Sequence, residues 1–197
     1  MMSQVSPLLV AIEGLDGCGK STLARALADS NGAVFLRTPQ DLDATTCTSM
    51  EAHCARSVLA RMLFYSATVA AAAIEIRAAL AAGRSVVVDR YWLSTVVYHR
   101  VMGSPCMLDE VADALPTADF TIFLHAPLEV RAQRVRSRGQ ATDADRWSLQ
   151  PGPSQQIEDL YRALGRRPIA GRFIELDASQ RTPDELITAA AALTHVG

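Results

Sequence analysis

The chain carries little that a secreted, membrane-spanning or nucleic-acid-binding protein would need. Its four cysteines, Cys18, Cys47, Cys54 and Cys106, form no C-x-x-C pair. That spacing argues against a disulfide framework or a zinc site and for free thiols in a reducing, cytoplasmic setting. Net charge is only −2 across 197 residues, so no basic surface for nucleic acid and no polybasic membrane patch is expected. Aromatic residues make up 6 %. The N-terminal MMSQVSP has no basic segment followed by an apolar one and reads as carrying no secretory signal. The longest apolar stretch, around Ala67 to Ala73, is followed by Glu75 and Arg77, and reads as too short to span a bilayer. Repeats and linkers rich in Gly, Pro or Ser are missing too, so 1–197 is expected to form one domain.

What is present is an apolar fraction of 49 %, enough for a sizeable core, arranged as short β-branched runs between longer helical patterns. Strands are expected over 8–13, 34–37, 85–89, 120–125 and 173–177. Helices are expected over 20–30, 54–82, 93–102, 108–115, 127–137, 154–164 and 183–193. Strands alternating with helices imply an α/β fold, a parallel sheet covered on both faces. Gly83 suits a helix C-terminus, and Pro127 and Pro183 suit first-turn positions. Residues 139–153 are polar and aperiodic, and read as a mobile lid loop.

Four groups of residues carry chemistry. The first is Gly14 to Ser21, GLDGCGKS, which fits G-x-x-x-x-G-K-[ST] between an apolar strand and a helix. In that setting Gly14, Gly17 and Gly19 let the backbone turn its N–H groups inward on phosphate oxygens, with Asp16 and Cys18 as the intervening loop positions. The next helix adds its positive end. Lys20 can reach the β- and γ-phosphates of a nucleoside triphosphate, and the Ser21 hydroxyl can ligate Mg²⁺. The second is Asp89-Arg90-Tyr91 at the end of the Val86-Val87-Val88 run, where a carboxylate can hold a metal through water and an arginine can clamp a phosphate. The alternative there is an ordinary acid–base pair capping a strand. The third is the arginine series Arg131, Arg134, Arg136 and Arg138, with Arg146 beyond it. Arg131, Arg134 and Arg138 are spaced to share one helix face, suited to a closing lid or to a solvated basic surface. The fourth is Asp16, an acid in a loop built for anions, which fits either a sugar hydroxyl on an acceptor or a turn-stabilising role.

In order along the chain, EGLDGCGKST, Arg37 and Pro39, LFYSA, GRSVVVDRYWLSTVVYH, ADFTIFLHAP, EVRAQRVRSRG and DRW resemble the thymidylate kinase family of P-loop nucleoside monophosphate kinases. The resemblance implies a three-layer fold with a five-stranded parallel sheet, a lid, and usually a homodimer. It implies Mg-ATP as donor and a nucleoside 5′-monophosphate as acceptor, dTMP being the leading one. By position, Lys20, Ser21 and Thr22 would hold ATP phosphates and Mg²⁺, with Asp89 supporting the metal. Arg37 and Arg90 would clamp the acceptor phosphate, and Asp16 would touch its sugar. Phe64 would stack on the base, with Thr95 and Tyr98 lining the pocket. Some family members carry an Arg after the loop acid; here that position is Gly17, so Arg134, Arg138 and Arg146 on the lid are expected to act instead.

Three positions depart from the family pattern. Thr68 stands where an arginine reads thymine, Gln40-Asp41 replace a Gly-Gly pair, and Tyr98-His99 replace Tyr-Gln. FYS, the Glu75-Ile76 pair and DRYW-x-S-T also resemble the mitochondrial UMP-CMP kinase branch, so a UMP, CMP or modified-pyrimidine acceptor is the alternative. A deoxynucleoside kinase would usually present Glu-Arg-Ser in place of Asp-Arg-Tyr, and a small GTPase would need N-K-x-D, which the chain lacks. A non-catalytic ATP-binding sensor is the remaining rival.

Overall fold

The computed structural model describes residues 6–39, 44–139 and 141–194. The Gln40-Asp41 departure and residue 140 of the expected lid loop lie outside the described residues. Five strands, β1 (Leu9–Gly14), β2 (Val34–Arg37), β3 (Val86–Asp89), β4 (Phe120–His125) and β5 (Arg172–Asp177), form one parallel sheet in the order β2-β3-β1-β4-β5. Every residue of β1 and β3 is buried, which is why their runs Leu9–Ile12 and Val86–Val88 are continuously apolar instead of alternating. The register sets Arg37 opposite Asp89, and Ile12 opposite Asp89 from the other side. All strand C-termini therefore open on one edge, with the order reversing beside β1.

Nine helices flank the strands among the described residues: α1 (Lys20–Asn31), α2 (Ala44–Cys54), α3 (Val58–Ala81), α4 (Trp92–Val101), α5 (Asp109–Asp113), α6 (Leu128–Ser137), α7 (Asp143–Ser148), α8 (Pro151–Leu164) and α9 (Pro183–Thr194). α1 packs on α9, while α3 and α8 pack on α4, and these two groups cover the sheet. Gly83 follows α3 with φ 75°, as a residue past a helix end should. Pro183 opens α9, whereas Pro127 caps α6 from just outside it.

Two expectations are corrected. The helix expected over 54–82 begins later, at Val58, because Ser57 caps it: its hydroxyl accepts the Ala60 N–H at 3.1 Å, and the unexpected α2 ends just before it at Cys54. The segment 139–153 is mostly helical. Thr142 and Asp145 form a reciprocal capping box, each side chain accepting the other's backbone N–H, at 3.1 and 2.8 Å. Asp145 also holds Arg138 at 2.6 Å, and Pro151 opens α8. By length and composition α3 is apolar enough to cross a membrane. It also buries Met62, Val69, Ala72, Ala73 and Ile76 within the protein.

Candidate active site

The phosphate loop lies between β1 and α1, at the edge where the strands end. Gly14 (φ 141°) and Gly17 (φ 84°) are fixed by close approach as well as by backbone angle. A Cβ on Gly14 would meet the Leu124 carbonyl oxygen at 2.1 Å, and one on Gly17 the Arg131 carbonyl oxygen at 2.7 Å. The second contact leaves no room for a side chain at residue 17 unless α6 moves.

The loop floors a cavity of about 700 Å³. Asp16 to Leu23 line one wall, with Arg90 beside them; Arg134 and Arg138 line another, and Arg181, Pro183, Leu186 and Ile187 a third. Gly14 lies beneath the loop and outside this lining. Lys20 is buried, donates to the Leu15 carbonyl at 2.6 Å and stands 3.9 Å from Asp16. Burial and the Arg90 charge lower its pKa against the pull of Asp16.

Asp16 is the hub. It pairs with Arg90 and accepts the Tyr98 and Ser148 hydroxyls, each at 3.0 Å. Burial alone would raise its pKa, but Arg90 and Lys20 carry it well below the usual carboxylate range. Arg90 is held at φ 66°, a strained angle for a side-chain-bearing residue. Its N–H donates to the Ile12 carbonyl at 3.0 Å, and its own carbonyl accepts the Thr38 hydroxyl at 3.0 Å. Those bonds aim the guanidinium over the Tyr98 ring, 5.5 Å from its centroid.

Asp89 Oδ2 accepts the Ser21 hydroxyl at 2.5 Å, while its buried Oδ1 has no hydrogen-bond partner among the described residues. A bare carboxylate oxygen beside a hydroxyl suits a hard cation held through water. No group of three His, Cys, Asp or Glu residues among the described ones would hold a metal unaided. Such an ion at Ser21 and Asp89 would need phosphate oxygens to complete its shell.

Of the lid arginines, Arg134 donates to the Ala178 carbonyl at 2.7 Å and Arg138 pairs with Asp145, both at the cavity. Arg146 is turned away: exposed, it pairs with Asp143 and donates to the Ala141 carbonyl. Arg136 is exposed. Arg131 leaves the shared face altogether, because its side chain is wholly buried beneath the loop.

The acceptor-side residues lie on β2, α3 and α4. Arg37 is exposed at the end of β2 and forms no ion pair among the described residues. Phe64 is half-buried and packs edge-on against Tyr65. Thr68 is buried and folds its hydroxyl back onto the Tyr65 carbonyl at 2.8 Å, on its own helix. Thr95 and Tyr98 are buried on α4. His99 is buried with its Nδ1 2.6 Å from the Thr95 carbonyl, so Nδ1 carries the proton and Nε2 is an acceptor with no hydrogen-bond partner among the described residues. Burial lowers its pKa.

Several site residues escaped the sequence reading. Glu13 is fully buried at the end of β1 and accepts the Tyr91 and Ser94 backbone N–H groups at 3.0 and 3.2 Å, capping α4 from another element. Burial pushes its carboxyl up despite those bonds. An acid in an otherwise apolar strand was a usable signal. Ser148 and Arg181 carried none, since each reaches the site only through tertiary packing.

A family model described as Thymidylate kinase matches residues 12–185. The thymidylate kinase of Xanthomonas euvesicatoria pv. vesicatoria is 34 % identical over 145 residues, covering 68 % of this chain and 63 % of that protein. The match thus takes in less than two thirds of that relative's length. The probable thymidylate kinase of Metallosphaera sedula is 29 % identical over 164 residues, covering 81 % of this chain and 80 % of that one. Thymidylate kinase from Candida albicans superposes with a TM-score of 0.75 at 20 % identity, over 96 % of this chain and 92 % of that one, a likeness of fold. With its match running from the middle of β1 into α9, this chain belongs to the thymidylate kinase family.

Proposed function

We propose that the protein transfers the γ-phosphate of ATP to a pyrimidine nucleoside 5′-monophosphate, dTMP giving dTDP. The observation that carries this reading is a single cavity onto which Lys20, Ser21, Arg90, Arg134 and Arg138 converge. Five cationic or hydroxyl groups aimed at one space suit a transferring phosphoryl group, whose charge spreads over its oxygens. The attacking phosphate oxygen is already anionic, so no general base is required. Lys20 and Arg134 would hold the donor, Arg138 would neutralise developing charge, and Arg90 with Arg37 would hold the acceptor phosphate. The apolar wall of Pro183, Leu186 and Ile187 suits the donor's base. Ser21 and Asp89 would hold Mg²⁺, which when bound neutralises charge on the donor phosphates. Asp16 would exchange a partner hydroxyl for one on the acceptor sugar, and Phe64 would stack on the base beside Thr68, Thr95 and Tyr98. The thymidylate kinase names of the relatives weigh against the UMP or CMP alternative. Arg146 pairs with Asp143 outside this cavity, so its expected part in neutralising charge would need the segment that carries it to close over the donor.

The test is ADP release from Mg-ATP with dTMP, dUMP, UMP, CMP, dCMP, AMP and GMP, and with thymidine as control. dTMP is expected to give the highest kcat/KM. Preference for UMP or CMP would overturn the dTMP assignment, and turnover of thymidine alone would overturn the phosphate clamp.

The working unit is a homodimer. Its support is the apolar stripe on α3, where Leu59 and Leu63 on neighbouring turns and Ile74 about three turns further along the same face are 40, 49 and 69 % exposed. Light scattering is expected to give twice the chain mass, and a monomer at micromolar concentration would refute it. A cytoplasmic setting suits the four free thiols.

A further inference from the structure

Arg131 is used by nothing in the reaction as proposed, yet it is among the most completely buried side chains in the protein. It sits in the first turn of α6. Its Nε donates to the Ala126 carbonyl at 3.1 Å, its Nη2 donates to the Ser154 hydroxyl, and its Nη1 lies 3.5 Å from the Asp16 carbonyl on the underside of the phosphate loop. Its own carbonyl packs beneath Gly17. One residue thus touches the end of β4, the loop and the start of α8.

All these partners are neutral. Among the described residues no carboxylate lies within 4.0 Å of the guanidinium. A buried cation without a counter-ion is strongly unfavourable. The adjacent helix ends add to the problem: Arg131 and Ser154 lie in the first turns of α6 and α8, where the helix dipole is positive. The charge is felt in the loop. Burial pushes the Cys18 thiol up, and the charges of Lys20 and then Arg131 oppose that rise.

We propose that Arg131 is a positioning residue of the donor site that pins the phosphate loop to α8 and supplies a buried positive charge whose counter-ion is the bound triphosphate. The inference rests on the donor-site reading above. A phosphate chain cradled on the upper face of the loop is separated from Arg131 by the loop backbone alone, with water excluded from the layer beneath. Coulomb attraction is weakly screened in such a layer. Lys20 meets the phosphates directly, and Arg131 acts on them through the loop.

The experiment is calorimetric titration of inorganic tripolyphosphate, and separately of Mg-ATP, into wild type, Arg131→Met and Arg131→Lys. Thermal melts with and without tripolyphosphate accompany it. Arg131→Met is expected to bind tripolyphosphate about tenfold more weakly, while Arg131→Lys stays within about threefold of wild type. The rise in Tm on adding tripolyphosphate should shrink in the Met variant whatever happens to the ligand-free Tm, which a purely structural brace would not cause. In turnover, KM for ATP should rise and KM for the monophosphate should hold. Wild-type tripolyphosphate affinity in Arg131→Met would overturn the proposal. If Arg131→Met fails to fold by circular dichroism, a folded Arg131→Lys that has lost tripolyphosphate affinity would do the same. A wild type that binds tripolyphosphate but phosphorylates no monophosphate would sink the proposed function and leave this inference standing. One that binds neither tripolyphosphate nor ATP would sink both.

Discussion

Lys20→Ala should lower kcat by at least about 10²–10³-fold, with far-UV circular dichroism unchanged. Lys20 is 6 % exposed and its ammonium is fixed by the Leu15 carbonyl at 2.6 Å. A charge held in place before the phosphates arrive needs no reorganisation as the transition state forms, and that is where electrostatic catalysis gains most. The ammonium stays 3.9 Å from Asp16, whose closer partners are Arg90, Tyr98 and Ser148. Removing it therefore leaves the hub connected and the fold intact. The measurement is turnover at saturating Mg-ATP and dTMP. A variant with near-normal kcat would end the proposed mechanism.

Arg90→Ala should act differently, raising KM for the acceptor about 10–100-fold, the worth of a charge-assisted hydrogen bond or two, with KM for ATP far less changed. Arg90→Lys should recover little, because an ammonium cannot reproduce the planar fork. The substitution also reaches stability through Asp16. Burial favours the neutral acid, and Arg90 with Lys20 overcomes it, so the folded-state pKa lies below the ordinary 3.8. A depressed carboxylate pKa contributes stability that is present above pH 3.8 and lost as pH falls below it. With Arg90 gone that contribution shrinks, and Tm at neutral pH should drop. Steady-state kinetics with each substrate varied in turn checks the first claim, and an unchanged acceptor KM would refute the clamp.

Much of the fold was legible because a parallel sheet buries both faces of its central strands. Val86-Val87-Val88 had no polar position to disguise it, and Gly83 marked the end of the preceding helix. Helix α2 was not legible: ATTCTSMEAHC mixes Thr, Ser and Cys without an apolar stripe, so it carries almost no helical period. The lid segment misled for the opposite reason. Its composition is that of a loop, while four residues, Thr142 to Asp145, hold a capping box that starts a helix. Arg131 misled because a regular spacing of arginines predicts one solvated face, whereas close packing under Gly17 draws the first of them inside.

The sequence by itself determined the phosphate loop, the strand order's raw material and the family, because each depends on residues that are neighbours in the chain. An eight-residue motif running from the end of a strand into the start of a helix needs only local backbone freedom to form. Tertiary structure alone decided which charges meet. Asp16 and Arg90 are 74 residues apart, Glu13 and Ser94 are 81 apart, and Ser148 reaches Asp16 across 132. Those contacts follow from the sheet placing β1 beside β3 and from α7 packing back against the loop. No local pattern encodes them, because their energy comes from burial and electrostatics that exist only once distant segments share the same dry space.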